Sequence, residues 1–149
     1  MISSPEYDRW NSKGVLLNST KRLAPSKGGP FFRHLIVEPG HQHLLLALRQ
    51  TLAGGLAEVA LNTHFASVPL NLKADHAYTV TLTTVLKPSV NFWTDNRVDR
   101  QIVTFIVKDQ TTQHLIATVK ATKVTSAKDF VDFLATHPEL VSIASAPPR

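Results

Sequence analysis

A chain of 149 residues, 43% hydrophobic and 18% charged, is long enough for one domain with its own core and too apolar for wholesale disorder. It holds no cysteine, which excludes disulfide frameworks, thiol nucleophiles and cysteine-ligated metal centres, and no apolar run approaches the roughly 18 residues of a membrane helix. The net charge of +5 gathers in residues 1–50, where seven Lys/Arg stand against three Asp/Glu, but no nucleic-acid-binding module accompanies it. A soluble, cytoplasmic protein with no nucleic-acid or membrane partner is therefore expected. Met1 to Trp10 is polar and has none of the basic flank and apolar stretch of a secretory leader.

Residues 1–30 read as an arm. Pro5, Gly14, Pro25, Gly28, Gly29 and Pro30 punctuate it, and Val15-Leu16-Leu17 is positioned to dock on the body. The domain is expected over 31–141, with a flexible tail at 142–149. Phe31 to Val37 is a compact apolar run that predicts a strand, and Glu38-Pro39-Gly40 a turn. His41 to Leu52 suits a buried helix or a second strand, because Leu44, Leu45, Leu46 and Leu48 give no usable period. Past Gly54-Gly55, the spacing of Leu56, Val59, Ala60 and Thr63 predicts an enclosed helix over Leu56 to Ser67, ended by Pro69 and Asn71.

From Tyr78 the period changes to two. Tyr78, Val80 and Leu82 face one way and Thr79, Thr81 and Thr83 the other, which predicts a strand closing near Lys87-Pro88. Arg100 to Lys108 and His114 to Val124 predict two more strands, joined by a turn at Asp109-Gln110-Thr111-Thr112. Apolar residues on both faces of 100–108 imply cover on both sides, by a helix and by a partner subunit. Ser126 with Asp129 three residues on resembles a capping box, so a last helix is expected over 127–135, limited by Pro138.

This order resembles the hotdog-fold acyl-CoA thioesterase superfamily over about residues 31–125. Leu52-Ala53-Gly54-Gly55-Leu56-Ala57 is similar to that family's Gly-Gly lead into its helix. Thr79 to Pro88 is similar to its following strand, and Arg100 to Lys123 to its closing hairpin. The resemblance implies an α+β hotdog fold, a long antiparallel sheet wrapped around a central helix with a C-terminal helix added. It also implies a homodimer or higher homo-oligomer. The implied chemistry is attack on an acyl thioester whose oxyanion is held at the helix N-terminus near Gly55. The family's helix carboxylate, seven residues past the second glycine, is replaced here by Asn62, and its frequent histidine before the glycines by Ala53. An amide takes no proton as a carboxylate does. Glu58, one helical turn before Asn62, is then the candidate displaced base.

Gly54, His64, Phe92, Trp93, Arg97, Arg100, Lys120 and Lys123 are the candidate substrate contacts. The aromatics would act as a lid and the cations would meet coenzyme A phosphates. No metal site is expected, since His41 and His43 lack a third ligand, and no cofactor beyond coenzyme A as part of the substrate. Three functions fit: a thioesterase on acyl-CoA or acyl-carrier-protein, a non-hydrolytic cyclase, dehydratase or isomerase on a polyketide-like or aromatic substrate, and a non-catalytic dimer binding an apolar ligand or a protein. A helix-first α+β cone is the competing fold, and it requires His41 to Ser67 to be mainly helical.

Overall fold

The computed structural model describes residues 1–5, 14–19, 33–54, 57–88 and 100–140. Their elements are β1 (Ile2–Ser3), β2 (Gly14–Ser19), β3 (His34–Leu35), β4 (Gly40–Gly54), β5 (Ala57–Leu72), β6 (Tyr78–Leu86), β7 (Gln101–Asp109), β8 (His114–Lys120) and β9 (Thr122–Lys123). The helix α1 (Ala127–Ala135) and a 3-10 turn at Pro138–Leu140 follow. The strands make two sheets. One has five strands in the order β3-β1-β6-β7-β8, the other four in the order β2-β4-β5-β9.

The alternation read from 78 onward places the first sheet. β6 and β7 pair antiparallel from Tyr78 opposite Asp109 to Leu86 opposite Gln101. Val80, Val103, Phe105 and Val107 are buried against Leu44, Leu46, Leu48, Ala66, Val68 and Leu70 of the second sheet, so the main core lies between the sheets. Each such side chain contributes about 1.5–3 kcal/mol by leaving water.

The second sheet carries a second core on its other face. Leu16, Leu45, Ala47 and Phe65 meet Phe133, Val124 and Leu140 there. Phe65 holds α1 by two ring contacts, with centroids 5.3 Å from Phe130 and 5.9 Å from Phe133. The Ser126 hydroxyl caps α1 by accepting the Asp129 N–H at 3.1 Å, and the Asp129 carboxylate accepts the Thr125 N–H and hydroxyl at 3.2 Å each. Ser67 donates to Glu139 at 2.9 Å, tying the chain beyond α1 to β5.

The hotdog expectation is overturned. Residues 57–72 are not a central helix but strand β5, paired along almost its whole length with β4, and the helix α1 lies on an outer face. The cone alternative falls with it, because His41 to Ser67 is a β-hairpin. The physical reason is double burial. One face of β4 and β5 meets the other sheet and the opposite face meets α1, so the leucine run shows no alternation. Gly54 pairs with Ala57 at the end of the paired strands, and strand rather than helix follows from Ala57.

Pro69 is tolerated inside β5 because, among the described residues, β9 pairs only with His64 and Phe65, which leaves Pro69 on an edge-like stretch. The cover expected over β7 is also corrected. Its inward face packs on the second sheet, while Ile102, Thr104 and Ile106 are half-buried on the outward face, and α1 packs elsewhere. Ile2, Val15 and Leu17, from the segment read as an arm, are buried in the main core.

Candidate functional site

The inward row of β7 reads Gln101, Val103, Phe105, Val107, Asp109, all buried. Its polar termini mark the two ends of the sandwich, and each end gathers a histidine.

At the Gln101 end, Gln50 and Gln101 exchange amide hydrogen bonds of 2.8 and 3.0 Å across the two sheets. Gln50 also donates to the Thr63 hydroxyl at 2.6 Å, and that hydroxyl lies 2.9 Å from Nδ1 of His64. A register shift after Leu48 turns Thr63 and His64 into the same polar cluster: Leu48 faces His64, but Arg49 faces Asn62. His64 is 1% exposed and its Nε2 has no hydrogen-bond partner. Burial, reinforced by the charge of Lys123 and opposed by the Gln101 carbonyl, lowers its pKa to about 4. The neutral ring then accepts from Thr63, which places its proton on Nε2.

Several expected residues meet at this end. Asn62 and His64 lie on β5, Lys123 pairs with His64 from β9, and Arg100 precedes Gln101. The side-chain oxygen of Asn62 and Nε of Arg100 are buried without hydrogen-bond partners, and Arg100 Nη1 donates to the Lys87 carbonyl at 3.4 Å. Lys120 is exposed on β8. Gly54 and Glu58 belong to the β4–β5 hairpin, opposite Ala57 and Ala53, not to a helix. Gly55, Phe92, Trp93 and Arg97 lie outside the described residues. The helix expected to follow the glycines is strand β5 over Ala57–Leu72.

At the Asp109 end the chain opens into a cleft of about 430 Å³. Apolar Ile36, Val37, Pro39 and Leu72 line one part, and Met1 with the loop Lys73 to Tyr78 the rest. Asp75 takes the left-handed conformation (φ 63°) that lets this loop turn tightly, a conformation Asp tolerates better than most residues. The loop is stitched down on three sides. Tyr78 hydroxyl accepts the Lys73 N–H at 2.8 Å, Thr111 hydroxyl accepts the Ala77 N–H at 3.0 Å, and Gln110 N–H donates to the Ala77 carbonyl at 2.8 Å.

His76 Nδ1 meets Asp109 Oδ2 at 2.7 Å, and the imidazole stacks on Tyr78 with centroids 6.3 Å apart. Burial pushes the Asp109 carboxyl up, but the bonds from His76, Thr112 and Thr111 outweigh it and hold the group below the usual carboxylate range. An ionised carboxylate only accepts, so Nδ1 carries the ring proton and Nε2 is the atom left for other use. This is an oriented histidine beside a cleft, the arrangement needed to anchor or deprotonate a polar group.

His76 carried no signal as a lone histidine in the sequence. The signal was indirect: pairing the strand at Tyr78 with the turn at Asp109 brings His76 beside that carboxylate. Gln50, Thr63 and Gln101 gave no local signal at all. Among the described residues no group of three His, Asp or Glu side chains forms a metal site, and no helix is long and apolar enough to cross a membrane. No protein-family model matches this chain, and neither curated proteins nor solved structures yield a match.

Proposed function

We propose that this chain is a small-molecule-binding β-sandwich whose ligand enters the cleft at the Asp109 end. One observation carries the reading: a cleft of about 430 Å³ joins an apolar wall to a histidine fixed by a buried carboxylate. A volume of that order suits a compact ligand, and a mostly apolar lining with few placed polar groups is what such sites need. The ligand class is a small amphipathic molecule. Its apolar body lies along Ile36, Val37, Pro39 and Leu72, and its polar end hydrogen-bonds His76. Nε2 is an acceptor, so medium-chain alcohols, whose hydroxyl donates, lead the first panel, beside free medium-chain fatty acids and their coenzyme A thioesters, which only accept.

The test is titration of ¹⁵N-labelled protein with this panel, with Ala77→Trp as the control. Ala77 is exposed on the cleft wall, so a tryptophan there fills the cleft without entering the core. Shift changes confined to residues 36–39 and 72–78, at least tenfold weaker in Ala77→Trp, are expected. Equal binding by both proteins, or no binding by any member, overturns the proposal. Thiol release from the thioesters is read in the same samples, without background from the cysteine-free chain.

A further inference from the structure

Among the described residues the strand β8 ends the five-stranded sheet, with β7 as its only paired neighbour. Its pairing with β7 is ordered, with Ala117 opposite Val107 and Lys120 opposite Thr104. Ala121 N–H donates to the Val103 carbonyl at 2.8 Å. Inward and outward backbone groups alternate along an antiparallel strand. Counting back from Ala121, the N–H and C=O of Val119 and Ala117 bond β7, and those of Thr118 and Lys120 face away from it. Among the described residues no backbone hydrogen bond reaches these outward groups.

Two further features separate this edge from a protected one. Ala117, Val119 and Ala121 point toward the main core but are only partly buried, so the core is not sealed along β8. Leu115 and Ile116 are 63% and 43% exposed. Exposed apolar side chains on an edge strand usually invite another strand. The charge is one-sided as well. From Gln101 to Lys120 the chain holds Lys108 and Lys120 against a single carboxylate, Asp109, which His76 and the Thr111 and Thr112 amides already engage.

We infer that β8 is a docking edge for an extended segment of another protein that alternates acidic and apolar residues. The segment adds as a sixth strand. Its backbone pairs with Thr118 and Lys120, its apolar residues close over Ala117 and Val119, and its acidic residues lie on the outward face beside Lys108 and Lys120. Main-chain bonds supply affinity and the alternating side chains supply selectivity, as in other strand-addition interfaces. A second copy of β8 fits worse, because it brings another His114 and Lys120 to the same edge.

The test uses the full chain and three fluorescein-labelled eight-residue peptides: alternating Glu/Val, alternating Lys/Val, and the Glu/Val composition in two blocks. Anisotropy is expected to show the alternating Glu/Val peptide binding at least tenfold more tightly than the other two, and more weakly in high salt. Its binding should slow hydrogen exchange at the Thr118 and Lys120 amides. Thr118→Pro removes an outward N–H that β7 does not use, so the fold is retained while binding falls at least tenfold. Lys120→Glu should shift preference toward the Lys/Val peptide, and this second variant decides the matter if Thr118→Pro proves unfolded by circular dichroism. Equal binding of all three peptides, no binding, binding unchanged in either folded variant, or a wild-type dimer paired through β8 overturns the inference.

Discussion

The two ends of the sandwich use the same strand and the same residue type for opposite purposes. β7 begins its inward row with Gln101 and finishes it with Asp109, about 27 Å apart at ordinary strand rise. At the Gln101 end the histidine is sealed in: His64 is 1% exposed, and the Gln50–Gln101 amide pair reaches it through the Thr63 hydroxyl. At the Asp109 end the histidine sits at a cleft, with its side chain 22% exposed beside a carboxylate that is 4% exposed. Partner type separates them. Burial, reinforced by Lys123, keeps His64 uncharged beside a hydroxyl, whereas an ionised carboxylate with two further backbone donors fixes His76 at the open end. The first end closes the core and the second presents an imidazole to solvent.

Breaking the closed end should produce the largest change. In Gln101→Leu, the Gln50 amide oxygen loses its donor while remaining buried, and an orphaned buried polar group costs about 1–3 kcal/mol. Urea unfolding should show that loss. The double variant Gln50→Leu with Gln101→Leu should recover part of it, because the amide pair is then absent as a whole, although Thr63 loses the Gln50 donor. If the double variant is as unstable as the sum of the singles, the amides do not act as a pair and the closed-end reading is broken.

Acid separates the ends next. His64 falls from an ordinary 6.5 to about 4 on folding, so the unfolded chain binds more protons between those values. The stability held by the neutral ring is therefore complete above about pH 6.5 and is lost as pH falls toward 4, on the order of 2 kcal/mol after allowing for solvent at the sandwich end. Asp109 responds lower on the scale. Its folded pKa lies below its ordinary value, so its contribution persists through that window and disappears only as pH falls through the depressed folded value. Stability curves of wild type and His64→Gln should differ in slope between pH 4 and 6.5 and run parallel above it. Equal slopes throughout would mean that water already reaches His64.

The sequence was legible where one face of an element meets water. Tyr78–Leu86, Gln101–Asp109 and the Ser126-capped helix Ala127–Ala135 stand close to where period and capping predict them, because alternation or a cap is written locally. The β4–β5 hairpin was not legible. Leu44 to Leu48 pack on two cores at once, and the repeat of Leu56, Val59, Ala60 and Thr63 imitates a helix in residues that are strand. The site divided on the same line. Asn62, His64, Arg100 and Lys123 do come to one end, but through strand pairing rather than along a helix face. The partners that give the two histidines their character lie far off in sequence: Gln50 and Gln101 are 51 residues apart, and His76 and Asp109 33. Only the pairing of the strands brings them together.

The smallest change isolates the open end. Asp109→Asn keeps an oxygen to accept the Thr111 and Thr112 amides, so the turn and the global stability should change little. What the substitution removes is the anion that forces the ring proton onto Nδ1. The Asn side chain satisfies the turn with its oxygen and presents an NH₂ group toward His76, and an NH₂ donor favours a ring whose Nδ1 is the acceptor. The proton should then move to Nε2, which is visible as exchanged ¹⁵N shifts of the two ring nitrogens of His76, with those of His64 unmoved. Ligand binding in the cleft should weaken if the ligand donates to Nε2 and strengthen if the ligand only accepts, so this variant also fixes the polarity of the group that His76 holds. An unchanged His76 tautomer would show that the ring is oriented by its stacking on Tyr78 instead of by the carboxylate, and the contrast between the two ends would then rest on exposure alone.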